Sequence, residues 1–122
     1  MASDDKVVIG LTYAADDPER VLLAYLMGVE ALRKEKQVVM FLTKDAVYLA
    51  TPGYVDGIEV PGAPSVPALH QEFVDRGGRF FACPVCVKTH GLEGAELVEG
   101  AEVKGAPSVY EFAEGGALTF TF

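Results

Sequence analysis

Short runs of β-branched and apolar residues alternate with longer segments whose apolar residues recur every three or four positions. That alternation restricts the fold more than anything else in the chain. Lys6 to Tyr13 (KVVIGLTY), Gln37 to Leu42 (QVVMFL) and Arg79 to Cys83 (RFFAC) read as strands buried on both faces. After the first of them, Val21, Leu22, Tyr25, Leu26, Val29 and Leu32 mark one face of a helix from Pro18 to about Lys34. Asp16 or Asp17 is its N-cap and Pro18 opens its first turn. The charged turn Arg33-Lys34-Glu35-Lys36 closes it.

The remaining punctuation continues the pattern. Asp45 to Ala50 reads as a short helix, and Thr51 to Pro67, rich in Pro and Gly, as a long loop. Val66 to Arg76 reads as a second helix, ended by Gly77-Gly78. A weaker strand runs from about Ala101 to Lys104. Pro107 to Glu114 is helical, Gly115-Gly116 stops it, and Ala117 to Phe122 forms a last strand. Strands alternating with helices predict an α/β fold: a mostly parallel sheet of about five strands with helices on both faces. The 122 residues predict one domain, 1–122. Such a chain buries roughly two-thirds of the surface its unfolded form exposes and needs no covalent staple.

Charge narrows the partners. Ten basic residues stand against eighteen acidic ones, a net charge of −8. That surface repels phosphate backbones and anionic lipid, so neither a nucleic acid nor a membrane is expected as partner. The acidic start, Met1 to Lys6, lacks the basic and apolar regions of a signal peptide. The longest apolar stretch, Val21 to Val29, is too short to span a bilayer. A cytoplasmic location is expected. Glu93 to Glu102 (EGAELVEGAE) reads as a solvated acidic face or a docking surface for a basic partner.

The chemistry concentrates at Cys83-Pro84-Val85-Cys86. These are the two cysteines of the chain, and in a reducing compartment such spacing points to metal binding or redox work. Cys83 ends a strand, and ligands of parallel sheets gather beyond the carboxyl ends of the strands. Lys88 and His90 follow closely, and Lys44 comes just after the second strand, where it is expected close in space; each is a candidate to support a thiolate. A thioredoxin-type dithiol fits the spacing, but here the motif follows the third strand and VKTHGLEG makes a poor helix. Zinc fits Cys83, Cys86 and His90 with His70 as a fourth ligand, although His70 stands alone on a helix and is expected to be solvated. A sulfur carrier fits as well: a loop-tip thiolate takes up sulfane sulfur as a persulfide and hands it on. The plain alternative is two buried cysteines acting as small hydrophobes. Tyr13, Tyr48 and Tyr54 are candidates to line a pocket, although tyrosines at strand ends are usually half-buried packing residues. No phosphate-binding loop and no serine-nucleophile elbow is present.

The opening strand VVIGLTY with its acidic turn and long helix, the segment QVVMFL running into DAVYLA, the strand ending in Cys83 with Gly91 eight residues on, and the closing GAPSVYEFAEGGALTFTF together resemble the DsrE/DsrF-like family over nearly the whole chain. The resemblance implies a five-stranded α/β/α sandwich that assembles into homotrimers or homohexamers. It implies a sulfur-relay role in which a cysteine at the Cys83 position carries a persulfide between donor and acceptor proteins, with no cofactor. Two features depart from the pattern. His90 stands where the family commonly has Arg, and Cys86 is an extra thiol. They leave a dithiol or a metal- or small-ligand-binding module open as alternatives to a simple carrier.

Overall fold

The computed structural model describes residues 5–122. Residues 1–4, which make up most of the acidic start read above, lie outside the described residues. Five strands form one sheet: β1 (Lys6–Leu11), β2 (Gln37–Leu42), β3 (Arg79–Ala82), β4 (Ala101–Val103) and β5 (Leu118–Thr121). Their order is β4-β3-β2-β1-β5, and every neighbouring pair is parallel. Leu11 lies beside Leu42, and Leu42 beside Ala82, so three strands end level at one edge.

The helices α1 (Pro18–Arg33), α2 (Val66–Asp75), α3 (Pro84–Thr89) and α4 (Ala106–Phe112) accompany them. Two 3₁₀ helices, Lys44–Ala50 and Tyr54–Gly57, lie between β2 and α2. The α1 and α2 helices cover one face, where Ile9, Met40 and Phe80 meet Tyr25, Val29 and Phe73 in the main core. Val8, Val39 and Phe81 belong to the opposite face and are also buried. Because β4 and β5 sit at opposite edges, the chain must cross the whole sheet between them. A right-handed crossover puts α4 on that second face, which completes three layers. The cover is thin: no α4 residue is fully buried, and Val103, Tyr110 and Leu118 are exposed.

Local chemistry sets the element ends. Asp17 caps α1 by accepting from the Arg20 N–H at 3.2 Å, and Asp16 accepts from the Ala14 N–H at 2.7 Å. Both aspartates are therefore used by the turn. Ser65 caps α2, and Gly77 ends it in the left-handed region (φ +90°). The Gly78 N–H then reaches back to the Phe73 carbonyl at 2.8 Å.

Two expectations need correction. His70 is buried rather than solvated, at 8% exposure. Its Nδ1 lies 2.8 Å from the Tyr25 hydroxyl and its ring stacks on Phe80, so the polar edge is satisfied and the flat face packs. Secondly, the residues after Cys83 do form a helix. The strand stops at Ala82, and Pro84 preset at the first helical position together with buried Val87 carries α3 through a stretch of weak propensity. The helix ends just before Gly91, itself left-handed at φ +74°. The acidic run is solvent-facing, with Glu93, Glu96, Glu99 and Glu102 all exposed. Glu102 pairs with Arg79 at 3.3 Å and with Lys104 at 3.8 Å.

Candidate functional site

Cys83 sits at the split in the sheet's carboxyl edge. The connection after β3 stays on the first face, whereas the one after β4 crosses to the second. Diverging connections open a crevice between adjacent strand ends. The Cys83 N–H donates to the Leu42 carbonyl at 3.0 Å, and its own carbonyl accepts from the Val87 N–H at 2.8 Å. Its backbone is thus fastened to β2 on one side and to α3 on the other, while its thiol is half-buried and free. The loop after β4 closes the far wall: a Cβ on Gly105 would stand 3.1 Å from Pro84 Cδ.

Cys86 follows one helical turn later, also half-buried and free. Burial pushes its thiol above the ordinary cysteine range. The Lys44 backbone N–H, donating toward the sulfur, pulls the other way, and a hydrogen-bonding contact with the Cys83 thiol pushes it up again. Lys44 therefore enters the site through its backbone, with its side chain exposed. It holds φ +52°, a left-handed conformation uncommon outside glycine, at the junction of β2 and the 3₁₀ helix.

His90 lies four residues beyond Cys86, on the same face of α3. Its Nδ1 is 3.4 Å from the Tyr48 hydroxyl and 3.7 Å from Asp45 Oδ1. Its ring meets Tyr48 edge-on at 5.3 Å, Tyr48 stacks on Tyr54 at 5.5 Å, and the Tyr54 hydroxyl accepts from the Ala15 N–H at 3.2 Å. One aromatic chain therefore ties together the loops after β1, β2 and β3.

Of the residues picked out from sequence, the structure brings Cys83, Cys86 and the Lys44 backbone together, while the His90 ring turns to Tyr48 and Asp45. Lys88 is exposed and only two residues past Cys86, so it belongs to another face of the helix. His70 is held between Tyr25 and Phe80. Among the described residues, no group of three or more His, Cys, Asp and Glu is gathered closely enough to hold a metal ion. The set Cys83, Cys86, His90 and His70 is thus not assembled as a zinc site. Sequence reasoning passed over Asp45, whose only signal was its place just beyond a buried strand. It also favoured packing over a pocket for Tyr48 and Tyr54, which carry the link to His90.

Known proteins place the chain. The model of the DsrE/DsrF-like family matches residues 5–122. An uncharacterized protein of Methanocaldococcus jannaschii, MJ0760, is 25% identical over 108 residues, which are 88% of this chain and 39% of that protein. The chain thus spans well under half the length of that relative. The ychN protein of E. coli superposes with a TM-score of 0.77 at 18% identity, covering 97% of this chain and 99% of the other. A protein of unknown function from Methanobacterium thermoautotrophicum, MTH1491, gives 0.65 at 15% identity over 96% and 98% of the two chains. These likenesses establish the three-layer fold. No helix among the described residues is long and apolar enough to cross a membrane.

Proposed function

The chain belongs to the DsrE/DsrF-like family, and we propose that it is a sulfur-transfer protein in which Cys83 carries sulfane sulfur as a persulfide. The observation that carries this reading is the half-buried free thiol of Cys83, held by its backbone at the opening between β3 and β4. In the loading step the Cys83 thiolate attacks the outer sulfur of a donor persulfide. A bond forms between Cys83 Sγ and that sulfur, the donor's sulfur–sulfur bond breaks, and the donor leaves as a thiolate. Unloading repeats the exchange with an acceptor thiolate attacking the carried sulfur. Donor and acceptor are proteins that must reach an open thiol.

The surrounding residues have distinct roles. The Leu42 carbonyl fixes the Cys83 backbone, the Lys44 N–H reaches Cys86, and His90, at the far end of α3, is steadied by Tyr48 and Asp45. The exposed Lys44 and Lys88 side chains supply positive charge on an otherwise acidic surface. The exposed apolar residues Val103, Tyr110 and Leu118, beside a thin α4 layer, support assembly into a homotrimer or homohexamer. A cytoplasmic setting suits free thiols.

The test is intact mass after incubation with a persulfide donor. One sulfur atom is expected on the wild-type chain and on Cys86→Ser, and none on Cys83→Ser. Equal loading of Cys83→Ser overturns the assignment. Native mass read on the same samples gives the oligomer, and a monomer overturns the assembly.

A further inference from the structure

A persulfide carrier needs one thiol, and this chain holds two, one helical turn apart. Cys83 is the N-cap of α3, with φ −58° and ψ 124°, and Cys86 is the third residue of the helix. No side-chain hydrogen bond caps the helix, so the Cys83 thiol is not tied to an α3 amide. Positions three apart at the start of a helix share one side of it, which sets the two thiols beside each other. Neither thiol is spent on a disulfide.

Resting on the persulfide reading above, we infer that Cys86 gives the protein a second activity: release of the carried sulfur as hydrogen sulfide. The Cys86 sulfur attacks Cys83 Sγ, the inner sulfur of the persulfide. A bond forms between the two cysteine sulfurs, and the bond from Cys83 Sγ to the outer sulfur breaks. The outer sulfur leaves as hydrosulfide, and the Cys86 proton goes to it or to solvent. Each cysteine sulfur ends oxidised by one electron, and the departing sulfur takes both electrons, so no outside oxidant is required. A small-molecule or protein dithiol then reduces the Cys83–Cys86 disulfide and is itself oxidised to a disulfide, which returns the chain to its starting state.

Geometry selects the inner sulfur. At rest Cys86 stands one helical turn from the residue whose sulfur becomes the inner one, whereas the outer sulfur extends a further bond length outward toward an acceptor. Burial of Cys86 sets the pace, because a thiol held protonated is a poor nucleophile. A loaded carrier therefore has time to meet an acceptor before it discharges itself.

The experiment loads wild type, Cys86→Ser and Cys86→Ala with glutathione persulfide, removes the donor, and follows intact mass and free sulfide together. Wild type is expected to lose the added sulfur, release one equivalent of sulfide, and end two hydrogens lighter than the reduced chain. It should discharge at least about tenfold faster than either variant, given the advantage of an intramolecular attack. Dithiothreitol should restore the reduced mass. Wild type that keeps its sulfur as long as the variants, with no sulfide, overturns this inference and leaves the carrier intact. Sulfur recovered on the Cys86 peptide without sulfide overturns it in favour of a relay. Failure of both Cys86 variants to load overturns the carrier reading itself.

Discussion

The Tyr25 hydroxyl and His70 Nδ1 lie 2.8 Å apart in the seam between α1 and α2, the only polar contact in that part of the core among the described residues. Burial pushes the Tyr25 phenol well above its usual range, so it stays protonated in its hydrogen bond with His70. Tyr25→Phe leaves that nitrogen buried without a partner. A loss of about 1–3 kcal/mol is expected in denaturant unfolding at neutral pH.

The same pair sets a pH dependence. Burial holds His70 below its ordinary value of 6.5, against a smaller upward pull from Asp56. A depressed histidine favours the folded state above its unfolded value, and that contribution is lost as pH falls through the folded one. Stability should therefore decline as pH falls below His70's ordinary value of 6.5. In His70→Gln, which keeps an acceptor for Tyr25, that slope should flatten; an unchanged slope assigns it elsewhere.

A second pH signature belongs to Glu72. Hydrogen bonds from Arg33 and Arg76, 2.8 Å each, hold its carboxyl down at about 2 against an ordinary 4.5. Its contribution is full above 4.5 and lost as pH drops toward 2. The difference in Tm between wild type and Glu72→Gln should thus shrink on acidification through that range. Salt should narrow it too, because the pair between α1 and α2 is solvent-accessible.

Gly28 on α1 lets Phe73 of α2 approach: a Cβ there would stand 2.8 Å from the ring's Cε1 and 3.3 Å from Ile9 Cδ1. Alanine improves helix propensity by about 1 kcal/mol. Overpacking a core this tight costs about 1–3 kcal/mol. Gly28→Ala is expected to destabilise on balance. Adding Phe73→Leu should recover part of the loss, and strict additivity in that double-mutant cycle would show that the two residues do not compete for space.

At the site, the raised Cys86 thiol predicts slow alkylation. The pH profile of its reaction with iodoacetamide, followed by peptide mass in Cys83→Ser, should lie above that of an unhindered cysteine. That variant removes only the Cys83 share of the shift and leaves burial, its larger cause, in place. A profile at the ordinary position would mean that Cys86 is solvated.

Much of the fold was legible because its signals are local. The apolar runs at β1 and β2, the Asp17–Pro18 start of α1 and the Gly77-Gly78 stop of α2 each depend on neighbours a few residues away. His70 was misread because what buries it, Tyr25 and Phe80, is remote in sequence and local propensity carries no trace of it. The α3 helix was missed for a related reason: buried Val87 compensates a sequence that would not be helical alone. Within the site, Cys83 and Cys86 announced themselves by spacing, and His90 by proximity. The links from His90 to Asp45 and Tyr48 exist only because β2 and β3 end side by side.

Position 44 shows what ordinary mutagenesis would overlook. Its contribution to Cys86 is an amide that every residue except proline supplies, so an alanine scan would leave that contact intact and could pass over the position. For that contact the backbone decides: Gly or Asn, which hold φ +52° readily, would keep it better than Arg, which keeps only the charge that the side chain adds to the surface.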